Sequence, residues 1–256
     1  MTNPHGSFVW YELLSKDAKA AEAFYTKVVG WKAEAAPGGM PYTLFEPEGG
    51  PAQAGSMGMM PQMLQAGVRA AWRGFIAVSD VDEYARKVVA AGGKLHQDPQ
   101  DIPGIGRFAP VSDPQGTEFL LFKGMGEAPA TDMSALGHVG WHELMAVDYK
   151  SALAFYGELF GWTDAGVHDM GPMGVYQLFG RNGGEAIGGM MNKPAELPHS
   201  FWNYYFNVDA ATAAVERLKA AGGSVMFGPM EVPGGLWAVQ AMDDQGVHFC
   251  LLSKNP

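Results

Sequence analysis

Residues 10–31 read WYELLSKDAKAAEAFYTKVVGW, and residues 141–162 read WHELMAVDYKSALAFYGELFGW. Trp10, Glu12, Leu13, Asp17, Lys19, Ala23, Phe24, Tyr25, Gly30 and Trp31 recur as Trp141, Glu143, Leu144, Asp148, Lys150, Ala154, Phe155, Tyr156, Gly161 and Trp162, at a constant offset of 131. The repeat extends outward. WRGFIAVSDVDEYARKVVAAGG (72–93) matches WNYYFNVDAATAAVERLKAAGG (202–223) at an offset of 130, and Pro103, Asp113, Gln115 and Gly116 match Pro233, Asp243, Gln245 and Gly246 at the same offset. The chain is two copies of one module of about 120 residues, an ordinary domain size. Two copies are too few for a solenoid, so two tandem modules are expected.

The 256 residues suffice for two cored domains. Apolar residues make up 47% and charged residues 17%, a globular balance. The 35 glycines suit many turns between short strands. A net charge of −10 argues against nucleic acid, which needs clustered cations. No basic amphipathic stretch or long apolar run suggests a membrane partner. Residues 1–10 do not read as a signal peptide. Cys250 is the only cysteine, so no intrachain disulfide forms, and a cytoplasmic location is expected.

Within the first copy, 7–14 reads as a strand and 17–29 as a helix. Asp17 or Ser15 serves as its cap, Ala20, Ala21, Phe24, Val28 and Val29 as its apolar stripe, and Gly30 as its stop. Trp31 opens a second strand, and strands follow at 42–47 and 54–60. The pattern then restarts: strand 72–79, helix 81–91 with Tyr84, Val88 and Val89 inward, and strands near 94–97, 107–112 and 118–123. Corresponding helices are expected at 148–160 and 209–221. Each module is thus two βαβββ units. The first module spans 1–123, a small and polar linker 124–137, and the second module 138–256.

Paired βαβββ units, a strand ending in Asp before a helix carrying Phe-Tyr and Gly-Trp, and a late Asp-Pro-x-Gly turn resemble the vicinal oxygen chelate superfamily. That family comprises glyoxalase I, bleomycin-resistance proteins and extradiol dioxygenases. The resemblance covers nearly the whole chain, although the second late turn reads Asp-Asp-Gln-Gly (243–246). It implies an α+β fold in which each module's eight strands curl into an open cup, helices outside, ligand in the cleft.

The resemblance also implies a divalent metal held from a module's first, fourth, fifth and eighth strands. The first, fifth and eighth positions carry Trp10, Arg73 and Leu120 in the first module and Trp141, Asn203 and Cys250 in the second. Indole offers no lone pair and guanidinium repels a cation. The fourth strands offer no His, Asp or Glu. No cofactor is therefore expected, with a metal at an unusual site as the alternative.

Strand alternation places Glu12 beside Trp10 in the first cleft, with Arg73 and Phe75 from the fifth strand and Glu118 and Leu120 from the eighth. The second cleft receives Trp141, Glu143, Asn203, Tyr205, His248 and Cys250. Glu12 and Glu143 read as catalytic bases or as carboxylates paired within the sheet, Glu12 with Arg73. His248 reads as a cleft liner or as a general base oriented by Glu143, titrating near neutral pH. Cys250 reads equally as a small hydrophobe. His142 is expected to pack; His5, His138 and His199 to be solvated; His96 and His168 to lack partners. Met59 and Met60 are matched to Met190 and Met191, as core or as an adaptable apolar wall.

The leading reading is a small-molecule-binding protein lacking the usual metal ligands. One alternative is a lyase, isomerase or dioxygenase acting on a small oxygenated compound with Glu12 or Glu143 as base. Another is an interaction module with filled clefts. A monomer acting as a pseudo-dimer, or a homodimer, is expected.

Overall fold

The computed structural model describes residues 4–65, 67–126 and 132–256. Its first sheet is built from β1 (Phe8–Ser15), β2 (Lys32–Ala35), β3 (Tyr42–Glu46), β4 (Ala54–Gly58), β5 (Ala71–Ala77), β6 (Lys94–Leu95), β7 (Gln100–Ile102), β8 (Gly106–Ser112) and β9 (Glu118–Gly124). Their order is β2-β3-β4-β1-β5-β9-β8-β6, with β7 on β8. The second sheet is built from β10 (Val139–Ala146), β11 (Trp162–Asp169), β12 (Val175–Arg181), β13 (Ala186–Asn192), β14 (Phe201–Asn207), β15 (Ser224–Val232), β16 (Leu236–Met242) and β17 (His248–Ser253). Its order, β11-β12-β13-β10-β14-β17-β16-β15, repeats the first. In each repeat the first strand pairs parallel to the last, across a helix, and hairpins complete the rest. The chain is an α+β protein of two open mixed sheets.

The helices are α1 (Ala18–Val28), α2 (Pro61–Gln65), α3 (Val81–Ala90), α4 (Tyr149–Phe160) and α5 (Ala211–Ala220). Asp17, Asp80 and Asp148 cap α1, α3 and α4 by accepting from first-turn amides. Gly161 ends α4 at φ +71°, the left-handed conformation that glycine adopts without a Cβ clash. On α3 the inward face is Val81, Ala85 and Val88; Val89, read as inward, is 50% exposed because one more residue turns it off that face. The short α2 begins at Pro61, and its backbone bonds start from Met60, so the strand read to residue 60 stops at Gly58. Of the linker read at 124–137, Gly124 completes β9 and 127–131 lie outside the described residues.

By density of contacts the chain divides into two compact units. One takes the chain up to Trp10, the stretch that begins at Arg73, and His142–Trp202; the other takes Tyr11–Trp72, the stretch that ends at Trp141, and Asn203–Pro256. Each unit combines one βαβββ segment from each module.

The repeated residues build the inside of each unit. In the second, Trp72 Nε1 donates to Tyr25 Oη at 2.9 Å, and Tyr25 Oη donates to Asp243 Oδ2 at 3.1 Å. Asp243 Oδ1 accepts from the amides of Gln245 and Val247, and Gln245 exchanges two hydrogen bonds with the backbone of Asp17. Trp31 Nε1 donates to the Gly137 carbonyl at 2.8 Å. In the first unit Trp202, Tyr156, Asp113, Gln115 and the Asp148 backbone repeat the arrangement, and Trp162 Nε1 donates to the Gly6 carbonyl at 2.8 Å. Burial raises the carboxyls of both Asp113 and Asp243 above their ordinary range.

Three histidines differ from expectation or refine it. His138 is only 8% exposed, because it stands where the chain enters β10 and its carbonyl accepts from Asn207 N. His5 is half-buried, with Nε2 near the Leu159 carbonyl and Tyr84 Oη. His142 is buried, stacks on Phe8 at 4.2 Å, and sets Nδ1 at 2.7 Å from the Ile187 carbonyl.

Candidate functional site

In the first unit, β5 and β9 run parallel with Phe75 opposite Leu120. Alternation then puts Arg73 and Phe75, with Glu118 and Leu120, on one face. Phe108 and Phe122 of the neighbouring strands close on Phe75 at 6.5 and 5.9 Å between ring centres. Arg73 is half-buried, and Glu118, the first residue of β9, is exposed. Trp10 and Glu143 belong to this unit as well.

In the second unit, Tyr205 lies opposite Cys250, and Gln240 flanks Cys250 on the next strand. One face therefore carries Asn203, Tyr205, His248, Cys250 and Gln240. Tyr205, Ala238, Cys250 and Leu252 form a buried cluster on which Trp141, Val232 and Leu236 pack, partly open to solvent. Gln240 Nε2 donates to Tyr205 Oη at 3.0 Å. Gln240 was not among the sequence candidates. Its copy in the first module is Pro110, so no repeat pointed to it. Glu12 also belongs to this unit.

His248 departs from the expected neutral titration. Burial lowers its pKa to about 4, so the ring is an uncharged donor–acceptor at pH 7. His142 is lowered to about 4 for the same reason, against a hydrogen bond that favours its charged form.

The expected match of Met59 and Met60 with Met190 and Met191 also fails. Met57 lies opposite Leu14 and Met191 opposite Met145, so Met57 is the structural copy of Met191 and Ser56 that of Met190. Met190 is fully buried, whereas Met60 is 49% exposed. The offset between copies has grown to 134 on these strands, because the preceding segment is longer in the second copy.

The metal positions implied by the family resemblance carry Trp10, Arg73 and Leu120 in the first copy, none of which offers a lone pair to a cation, and Trp141, Asn203 and Cys250 in the second, where Asn203 and Cys250 alone carry donor atoms. Among the described residues, no three or more His, Cys, Asp or Glu side chains gather to hold one. Nor is any described helix long and apolar enough to cross a membrane.

Two family models match the chain: a glyoxalase-like domain over residues 11–122, and the Glyoxalase/Bleomycin resistance protein/Dioxygenase superfamily over 135–251. The chain is 32% identical over 251 residues to "Putative glyoxylase CFP32" of Mycobacterium bovis, covering 96% of this chain and 94% of that protein. It is 31% identical over 262 residues to the anthracycline biosynthesis protein DauV of a Streptomyces species, covering 96% and 93%. The Mn(II)-bound glyoxalase of Novosphingobium aromaticivorans shares the fold, with a TM-score of 0.65, 18% identity, and coverage of 100% of this chain and 84% of that one. With the repeated sheets, these matches identify the chain as a tandem two-module member of the vicinal oxygen chelate superfamily, the family of glyoxalases, bleomycin-resistance proteins and extradiol dioxygenases.

Proposed function

We propose that the chain is a small-molecule-binding protein of the glyoxalase and bleomycin-resistance type, and that its ligand is a flat, oxygen-bearing compound seated against Trp141, Asn203, Tyr205 and Cys250. The observation that carries this reading is a difference between the copies. Where the first has Phe108, Pro110, Leu120 and Phe122, the second has Ala238, Gln240, Cys250 and Leu252 at the same register positions. One phenylalanine gives way to alanine and the other to leucine, a leucine to the smaller cysteine, and a proline to an amide. An apolar wall with a few placed polar groups is what small-molecule sites need. The name of the Streptomyces relative, which concerns the biosynthesis of a fused-ring compound, favours a flat ligand.

The reading further holds that no divalent metal occupies the usual place, that the protein works as a cytoplasmic monomer, and that it binds neither nucleic acid nor membranes. Refilling the second site tests it. Ala238→Phe should diminish the quenching of tryptophan fluorescence by ligands found in a screen of planar aromatics, while Phe108→Ala leaves it intact. Undiminished binding by folded Ala238→Phe would move the ligand elsewhere.

A second reading, an enzyme with Glu12 or Glu143 as base, is favoured by the glyoxylase name of the Mycobacterium relative. Glu118 and Arg73 would then serve the first copy as ligand-binding groups, and His248 the second as a neutral polar group. Metal analysis of protein purified without chelator separates the readings: stoichiometric Mn, Fe, Ni or Zn supports the enzyme.

A further inference from the structure

In both copies the glutamate of the first strand, Glu12 or Glu143, stands beside a glycine and a tyrosine that neither reading above uses. On β4, Gly55 stands in register with Glu12 of β1 and Leu44 of β3. On β13, Gly189 stands in register with Glu143 of β10 and Leu178 of β12. Neighbours in register share a face, so each glutamate lies beside a glycine about 4.8 Å away across the strands.

The place of a side chain on each glycine is taken by a tyrosine. A Cβ on Gly55 would collide with Cε1, Cζ and Oη of Tyr42, with Oη 2.6 Å away; a Cβ on Gly189 would collide with the same atoms of Tyr176, with Oη 2.5 Å away. Neither glycine is needed for a left-handed turn, since neither has a positive φ. What they provide is a notch that admits the phenol end of the tyrosine into the row of the glutamate.

The face concerned is the one turned away from the helix. Phe45 and Ser56, on the opposite face of β3 and β4, are fully buried, and Phe45 packs on Tyr25 of α1 and Trp31. Phe179 and Gly188 occupy the same opposite face in the second copy, where Phe179 stacks on Trp162 at 4.6 Å. On the face of the notch, Tyr42, Leu44, Tyr176 and Leu178 are only half-buried. Glu12 and Glu143 are nonetheless 7% and 6% exposed.

We propose that Tyr42 with Glu12, and Tyr176 with Glu143, are two seats for a hydroxyl group borne on a ring. The chemistry is complementary. A carboxylate only accepts, through two oxygens with about four lone-pair sites, so it has capacity for a ligand proton beyond any bond within the protein. A phenol donates as well as accepts. A ligand hydroxyl gives its proton to the carboxylate and takes one from Tyr Oη, using both groups at once, while its ring lies along the half-buried leucine and tyrosine. The ligand part of this inference rests on the small-molecule reading above, and it narrows the class to hydroxylated aromatics.

The test compares 2-naphthol with 2-methoxynaphthalene, which keeps the oxygen acceptor and loses the donor, by quenching of tryptophan fluorescence. The full-length protein is expected to prefer the naphthol by 10-fold or more. Glu12→Gln with Glu143→Gln should erase that preference, because an amide oxygen is a weaker, uncharged acceptor. Tyr42→Phe with Tyr176→Phe should weaken both compounds alike, since both lose a donor. Gly55→Ala with Gly189→Ala should reproduce the tyrosine result by expelling the phenols. If both compounds bind equally well to the unaltered protein, the seats are refuted and the small-molecule reading stands. If neither binds up to their solubility limits, the ligand class falls, and with it the small-molecule reading as stated for flat aromatics. A preference that survives the double glutamine variant, shown folded by circular dichroism, refutes the role of the carboxylates.

Discussion

Tyr25 and Tyr156 show how one side chain can mark a repeat without marking a site. Each phenol accepts from a tryptophan indole and donates to a buried aspartate, so its hydroxyl is fully engaged inside the fold. Removing it strands two buried partners. Tyr25→Phe is expected to lower unfolding free energy by about 1–3 kcal/mol, read from urea denaturation, the usual cost of leaving a buried polar group unsatisfied. The buried imidazoles make a pH prediction of definite sign. His142 and His248 stay neutral in the folded chain down to about pH 4, whereas the unfolded chain takes up these protons near 6.5. Between those values the unfolded chain binds more protons, so stability is full above the unfolded pKa and falls as pH drops toward 4. The loss is on the order of 3 kcal/mol for the deeply buried His142 and less for the half-buried His248. His248→Gln should flatten part of that slope in thermal melts between pH 7 and 4. An unchanged slope would mean that His248 already titrates like a solvated ring.

Among the described residues, α5 is the one long helix without a side-chain cap, since Ala210 stands where Asp80 caps α3. The preceding Asp209 turns instead to Arg217, at 2.6 Å on the surface. Ala210 already has the extended backbone of a cap, φ −150° and ψ 137°, so Ala210→Asp is expected to raise stability by about 1 kcal/mol. A destabilised variant would show that the Ala210 site cannot admit a carboxylate. Elements also set what could be read from the chain. Helices α1, α3, α4 and α5 and most strands follow from cap residues, periodicity and turn glycines, with ends moved by one or two residues, whereas the short α2 and β7 carry no such signal and were not read. Tyr42 and Tyr176 escaped notice because the offset between copies is 131 at the first strand, 134 at the third and fourth, and 130 at the fifth. Only strand register restores that match. Gln240 escaped because its copy is Pro110; divergence hides a site residue where repetition reveals a structural one. The match of Glu12 with Glu143 and of Trp10 with Trp141 was legible because the first strands align without a gap, but the partners of each glutamate were not, since Glu12 falls in the unit of Asn203 and His248 and Glu143 in that of Arg73.

At the scale of the whole molecule, the repeated residues explain why two modules share one chain. Asp243 is a residue of the second module and Tyr25 of the first; Asp113 is a residue of the first and Tyr156 of the second. Gln245 and Asp17, and Gln115 and Asp148, are joined in the same crossed sense, as is Trp162 with Gly6, while Trp31 reaches Gly137 at the end of the linker. Each compact unit therefore takes half of its interior from each module, and neither module alone can complete one. A separated first module would leave Tyr25, Trp31 and Asp113 without these buried partners, each costing about 1–3 kcal/mol, against a typical domain stability of about 5–15. The covalent link itself adds only effective concentration. A protease site inserted beside Met125, which is 76% exposed, should accordingly be cut with little loss of structure. After cleavage the two fragments are expected to co-elute on gel filtration, with unchanged near-ultraviolet circular dichroism, and to separate only in denaturant. The first fragment expressed alone should fail to give a cooperative melt, and adding the second should restore one. If instead the cleaved halves part under native conditions and each melts cooperatively as a monomer, the crossed pairs are not what holds the units together, and the repeat would have to be explained by two modules that fold independently.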